Sequence, residues 1–334
     1  MAGSKILITG ATGYIGGSIL TTILNSDDPG LKSATVSALV RKSTQADLLR
    51  IKGVEPILFS GLDDVELLAK VASENDIVIN TASAFHARAA AALIEGLARR
   101  KRETGKEVHL VHTSDKDDDI YNYLRAREDR EPYAQRTTDL VVLEKGAEAS
   151  VRTYILMSPT IYAVGHGFFN RTSIQIDTLI RAAYRQGFTS VIGAGEAEWD
   201  HVHIADLENL YHAVLRRIVA GQDLAHGQRE GIYFTGTGHH TWREVSERVA
   251  RAGKELGYLD TNEVREASLQ VAAHEVTGNS NTQWTELGFA SRSRTLAPRS
   301  RGIGWEPTRT REDFERSFVQ EWRELIPGLK KNTV

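Results

Sequence analysis

The chain opens on a short apolar run, and that pattern returns through its first half. Ile6–Thr9, Thr35–Val40, Pro56–Phe59, Ile77–Asn80, Val108–Thr113 and Thr153–Met157 are near-continuously apolar rather than alternating. Strands of that kind are covered on both faces, as in a parallel sheet. Between them apolar positions recur at helical spacing. Ile15, Ile19 and Ile23 fall at i, i+4 and i+8 and would turn one stripe toward a sheet. The stretch His86–Lys101 is alanine-rich and reads as another helix. Repeated strand–helix alternation predicts an α/β fold with a doubly wound parallel sheet.

The pattern changes after about residue 165. Gly165–Asn170 and Gly187–Gly195 read as loops around a helix, Ile174–Arg185. Residues 201–236 look like a return to the first domain: a strand near Val202, a helix from Asp206 to about Arg217 and a strand near Tyr233. From Thr241 onward the chain reads as helical and strongly charged. The expected division is a nucleotide-binding domain of residues 1–164 and 201–236, and a smaller, discontinuous substrate domain of residues 165–200 and 237–334.

Composition narrows the chemistry. Basic and acidic residues number 41 and 44, a net charge of −3, without the basic surplus of a general nucleic-acid or anionic-membrane binder. There are no cysteines, so disulfides, thiolate metal sites and a cysteine nucleophile are excluded. The start, MAGSKILITG, does not read as a signal peptide. No stretch approaches the ~18 apolar residues of a membrane span. The ending KKNTV matches no lipidation signal. The expected location is the cytoplasm.

The strongest motif is Thr9-Gly10-Ala11-Thr12-Gly13-Tyr14-Ile15-Gly16, between the first strand and the first helix. Gly10 permits a tight turn, Gly13 a close approach to a pyrophosphate, and Gly16 close packing of helix on strand. The helix start then offers free N–H groups to phosphates. The second strand ends Leu39-Val40-Arg41-Lys42-Ser43. An NAD site usually has an acidic residue here, bonding the ribose 2′-hydroxyl. Two cations and a hydroxyl instead suit a 2′-phosphate, so NADP(H) is the expected cofactor, with Arg41 as its main contact.

The spacing T-G-x-x-G-x-x-G resembles that of the extended and atypical short-chain dehydrogenase/reductase superfamily. Asn80-Thr81-Ala82 resembles its N-x-A segment along the cofactor. Ser158-Pro159-Thr160-Ile161-Tyr162 resembles its R-P-x-x-x-Y-G segment beside the nicotinamide, with Ser158 where arginine is usual. Trp199–Asp206 resembles its F-V-H-V-x-D signature, and Gly302–Pro307 its late L-G-W-x-P segment. The likeness covers nearly the whole chain and is greatest to the epimerase/dehydratase-like and NmrA-like group. It implies a Rossmann domain, a smaller C-terminal substrate domain and a cleft between them. The group includes reductases, epimerases, dehydratases, non-redox enzymes and cofactor-binding regulators.

The resemblance also implies a catalytic centre, and there this sequence departs from the pattern. Members use a Ser or Thr after the fifth strand and a Tyr-x-x-x-Lys helix. Ser114 matches the hydroxyl, with Thr113 beside it, and Asp115 stands where sugar dehydratases carry an acid. Tyr133 is the best-placed tyrosine, but Thr137 occupies the lysine position and supplies no positive charge. Arg136, at i+3, is the candidate to stabilise a phenolate. Tyr123 and Arg127 form another i, i+4 pair.

Other polar residues have less specific patterns. His201 and His203 share one strand face, but no third ligand accompanies them, so no metal is expected and a place near the cleft is preferred. His239-His240 reads as loop, and the run Asp115–Asp119 as a solvated loop. Phe168, Phe169, Asn170 and Arg171, with Tyr162 and His201, are candidates for the substrate pocket. The alanine-rich helix and the Leu140–Leu143 helix would form either a homodimer face or core.

The leading expectation is an NADP(H)-dependent oxidoreductase that reduces a carbonyl or conjugated double bond of a small, fairly apolar molecule. Ser114 would orient the substrate oxygen and Tyr133 donate the proton. The alternatives are a non-redox isomerase, dehydratase, epimerase or cyclase using Asp115 or a histidine, and an NmrA-like NADP(H) sensor that docks on a partner.

Overall fold

The computed structural model describes residues 3–114 and 120–329. Asp115 and the acidic run through Asp119 lie outside the described residues. The first half alternates as β1 (Lys5–Thr9), α1 (Tyr14–Leu24), β2 (Thr35–Val40), α2 (Ser43–Ile51), β3 (Glu55–Leu58), α3 (Val65–Ser73), β4 (Ile77–Asn80), α4 (Ala87–Thr104) and β5 (His109–Ser114). Helices α5 (Ile120–Arg130) and α6 (Ala134–Glu148) then precede β6 (Arg152–Met157).

The second half runs β7 (Thr160–Tyr162), α7 (Gln175–Gln186), β8 (Thr189–Ile192), β9 (Glu198–His203), α8 (Ile204–Val219), β10 (Ile232–Phe234) and β11 (Gly238–Thr241). It continues through α9 (Trp242–Glu255), β12 (Val264–Ala267), α10 (Thr282–Phe289) and α11 (Arg311–Leu325), with shorter turns between.

The main sheet has seven strands, all parallel, in the order β10-β6-β5-β4-β1-β2-β3. Its central strands carry the apolar runs that the sequence predicts. Ile6, Leu7 and Ile8 of β1 and Val78 and Ile79 of β4 are wholly buried, because helices cover both faces. The chain winds outward from β1 in one direction and from β4 in the other. The loops leaving β1 and β4 therefore diverge and open a crevice at the C-terminal edge of the sheet, the usual ligand position in such folds.

Beyond the sheet lies a smaller, discontinuous C-terminal region of helices and short strands. It contains a three-stranded sheet, β11-β9-β7, and a pair, β12-β8. The strand around Val202 joins this small sheet and not the main one. Its polar, histidine-bearing sequence pairs in register with Gly238–Thr241. The strand around Tyr233 does return to the main sheet, beside β6. The faces proposed for a dimer contribute to the interior: Leu93, Ile94 and Leu97 of α4, and Leu140 and Leu143 of α6, are buried within the chain. No helix among the described residues is long and apolar enough to cross a membrane.

Candidate active site

The glycine loop sits in the crevice. Gly10 has φ of +78°, and a Cβ there would lie 2.7 Å from the Thr81 and Ala82 backbone. A Cβ on Gly16 would come within 2.3 Å of both Gly10 O and Thr81 Oγ1, so strand and helix meet without a side chain between them. Helix α1 starts after Gly13 with no side-chain cap, leaving its first N–H groups facing the crevice. Tyr14 anchors this start: its hydroxyl donates to the carbonyls of Tyr162 (3.0 Å) and Ala163 (2.6 Å). Asn170 N–H donates to Thr12 O at 3.3 Å.

A buried polar chain lies beneath the crevice. Thr9 Oγ1 donates to Asn80 Oδ1 (2.7 Å), and Asn80 Nδ2 lies 2.9 Å from His112 Nδ1. An amide nitrogen only donates, so His112 Nδ1 accepts and Nε2 carries the ring proton. That Nε2 lies 3.6 Å from Asp139 Oδ1. Burial lowers the His112 pKa to about 4, so the ring is neutral near pH 7. Asp139 Oδ2 accepts from Ser114 Oγ at 2.5 Å, and Gln135 Nε2 donates to the same Ser114 Oγ at 3.3 Å. Strand β5 supplies Ser114, and one face of α6 supplies Gln135 and Asp139, four residues apart.

Tyr133 is the residue before α6, and Glu128 holds that helix start. Glu128 Oε2 accepts from Tyr133 N–H (3.1 Å) and from Arg136 Nη1 (3.3 Å), while Oε1 accepts from Thr137 Oγ1. Arg136 also donates to Glu131 O at 2.6 Å, and its guanidinium lies 5.9 Å from the Tyr133 ring centre. Thr137, at the lysine position, is therefore turned to Glu128. The Tyr133 ring meets Phe85 edge to face, with centres 5.8 Å apart.

These groups open on a cleft of about 470 Å³. Gly13, Tyr14, Ile15, Thr81 and Ala82 line its inner end, as do Thr113, Ser114, Tyr133, Arg136, Ser158, Pro159 and Asn170. Ser158 Oγ is buried there with no hydrogen-bond partner among the described residues. Gly10, Thr12, Gly16 and Asn80 stand behind this surface, and Thr160 is buried in β7.

Several other expected pocket residues lie elsewhere. Tyr162 and His201 belong to an aromatic stack: His201 lies 5.4 Å from His240 and 4.1 Å from Phe314, and Tyr162 meets His201 edge to face. Burial lowers the His201 pKa to about 3. Phe168 lies under Lys52, and Phe169 packs against the core. Arg171 bonds Gly165 O and pairs with Glu324.

The sequence reading missed Gln135 and Asp139, and also the outer wall, formed by Phe85, Ile174, Trp284, Leu287 and Phe289. The i, i+4 spacing of Gln135 and Asp139, beside the apolar Leu140, Val142 and Leu143, was the available signal. The outer wall had none, because α10 reaches the cleft only through tertiary packing. Gln283 donates to Pro132 O (3.3 Å) and Gln175 to Gly288 O (2.7 Å), which tie that helix down.

Comparison with known proteins is consistent with this geometry. Residues 2–101 match the NmrA-like family, and residues 104–227 match the NAD dependent epimerase/dehydratase family. The chain is 27% identical to a curated protein, "Oxidase ucsJ" of an Acremonium species, over 91% of this chain and 92% of that one. A dTDP-glucose 4,6-dehydratase from Streptomyces venezuelae, solved with NAD, superposes with a TM-score of 0.66 at 19% identity, covering 98% of this chain and 99% of that one. A UDP-glucuronic acid 4-epimerase from Bacillus cereus, solved with UDP-glucuronic acid and NAD, gives 0.62 at 14% identity, with 96% and 99% covered. The chain shares the fold of NAD-dependent epimerases and dehydratases.

The expected NADP(H) is corrected by this finding, because the solved relatives hold NAD. The basic turn that suggested a 2′-phosphate has a structural role of its own. Ser43 opens α2, Gln45 Oε1 accepts from Lys42 N–H at 3.2 Å, and Arg41 and Lys42 are solvated at the surface.

Proposed function

We propose that the chain is a member of the NAD-dependent epimerase/dehydratase superfamily with an NmrA-like N-terminal part, and that it is an NAD-dependent enzyme acting at a carbinol or carbonyl carbon. The residues fit a dinucleotide. The uncapped start of α1 and Gly13 would hold the diphosphate, Thr81 and Ala82 would flank it, and the unpartnered Ser158 hydroxyl would meet the inner end. When bound, NAD supplies a hydride acceptor and donor.

The observation that carries this reading is the Ser114–Asp139 pair, lining the same cleft as Gly13 and Tyr133. Ser114 has its proton on Asp139 and one lone pair on Gln135, so its other lone pair accepts a substrate hydroxyl. Proton loss from that hydroxyl to Ser114, with transfer of the serine proton to Asp139, leaves a carbonyl when the carbon loses hydride. The reverse transfer restores the hydroxyl. Tyr133 lines the same cleft. With hydride returned to the same substrate, the pair would support epimerisation, isomerisation or dehydration with no net redox change.

A second reading is net oxidation, favoured by the name of the fungal relative. Titration with NAD followed by calorimetry tests the shared premise, and absence of binding rejects both readings. Once a substrate is in hand, product formed without a lasting reduced-nicotinamide absorbance supports hydride return. Absorbance that rises with product supports net oxidation.

A further inference from the structure

We infer that the outer cleft accepts a neutral, aromatic-bodied substrate and excludes nucleotide sugars; this rests on the function proposed above and names its substrate class. The outer wall is aromatic and aliphatic. Phe85, Ile174, Trp284, Leu287 and Phe289 face one space, and Tyr133 closes its inner side. Phe85 and Ile174 remain 42% and 69% exposed. Large apolar side chains held open to water around a cleft mark a surface that an apolar ligand covers.

The charges argue in the same direction. With the α1 start taken by the cofactor, a sugar nucleotide beside it needs separate donors for a second diphosphate, best supplied by cations. Among the described residues, the cations lining this cleft are Arg127 and Arg136. Arg136 is held by Glu128 and Glu131 O. Arg127 donates to Tyr123 OH at 2.8 Å and pairs with Glu131 at 3.7 Å. A diphosphate entering here would compete with those partners for the two guanidinium groups, and it would share the cleft with the Asp139 carboxyl group. Burying charge without fresh compensation is unfavourable.

The remaining polar lining is neutral apart from Asp139, and includes Ser114, Ser158, Asn170, Ser173 and Gln175. The complementary ligand has one hydroxyl or carbonyl at its inner end and a flat ring system outward. Rings packing edge to face on Phe85 and Trp284 would fix its orientation.

The test is calorimetric titration of the full chain in saturating NAD, which keeps the α1 start occupied, using 1-tetralone (a neutral bicyclic aryl ketone) and UDP-glucose. The expected result is saturable binding of 1-tetralone and weaker or no binding of UDP-glucose. Phe85→Asp should weaken 1-tetralone about tenfold or more, and Phe85→Leu should retain it. Circular dichroism checks that both variants fold. No saturable 1-tetralone binding, tighter binding of UDP-glucose, or indifference to Phe85→Asp overturns the inference. The readout needs no turnover, so failure of the hydride chemistry with 1-tetralone still bound would reject the proposed function and leave the substrate class standing.

Discussion

Ser114 Oγ and Asp139 Oδ2 are joined by a 2.5 Å hydrogen bond between the end of β5 and the inner face of α6. Both side chains are almost wholly buried, yet both line the cleft. A short bond from a hydroxyl to a buried carboxyl group fixes the serine rotamer and gives its proton a destination.

If that pair carries the proton, Asp139→Asn lowers kcat by about 10²–10⁴-fold and leaves NAD affinity unchanged. An aryl alcohol such as 1-tetralol, of the substrate class inferred above, serves for the assay. Tyr133→Phe then lowers kcat by less than about tenfold. Full turnover by the Asp139→Asn variant would remove Asp139 from the reaction, and a larger loss from Tyr133→Phe would return the proton to the tyrosine.

Gly13 and Gly16 separate binding from stability. A Cβ on Gly16 meets Gly10 O and Thr81 Oγ1 at 2.3 Å, whereas one on Gly13 meets Gly10 O at 3.2 Å. Gly16→Ala should lower stability by about 1–3 kcal/mol and weaken NAD. Gly13→Ala should weaken NAD with little loss of stability. Thermal melts and NAD titrations of both variants decide this; equal melting temperatures contradict it.

Acid should destabilise the fold early. Burial lowers the pKa of His109, His112 and His203 to about 4, and of His201 to about 3, from an ordinary 6.5. Between those values the unfolded chain binds protons that the folded chain does not, so stability falls as pH drops from about 6.5 toward 4. The full contribution is present above 6.5. Melting temperatures across this window should fall steadily, with a slope reporting several protons taken up on unfolding. A flat profile would contradict the neutral, buried histidines.

Glu321 behaves in the opposite sense. Burial raises its carboxyl pKa to about 8 from 4.5, while Oε1 accepts from Ala163 N–H at 2.9 Å. The folded chain keeps this proton where the unfolded chain has lost it. The contribution is therefore complete below 4.5 and declines as pH rises through 8. Glu321→Gln keeps the acceptor oxygen and removes the titration. The wild-type melting temperature, relative to the variant's, should fall between about pH 5 and pH 8; parallel profiles would rule this out.

The main sheet was legible because each central strand carries a short, near-continuous apolar run, and the glycine loop because its spacing is local. Asp139 and Gln135 were not, since a helix pattern alone does not show which polar residues turn inward. Phe168 and His201 failed as pocket candidates for the converse reason: an aromatic or histidine near a motif packs inward as readily as it lines a cleft. The NADP(H) expectation treated charge at Arg41 and Lys42 as recognition, where the turn has them in solvent at a helix start.

The position of β10 has a consequence for the order in which the protein is made. β6 emerges from the ribosome more than seventy residues before its outer neighbour, since Ile155 pairs with Ile232. Until then β6 is an unpaired edge, the part of a sheet most prone to recruit a foreign strand. A nascent or truncated chain ending near residue 164 contains the glycine loop, Ser114 and Asp139, yet leaves that edge bare. Chaperone dependence during synthesis, and aggregation of such a fragment, follow from where one three-residue strand lies in the chain.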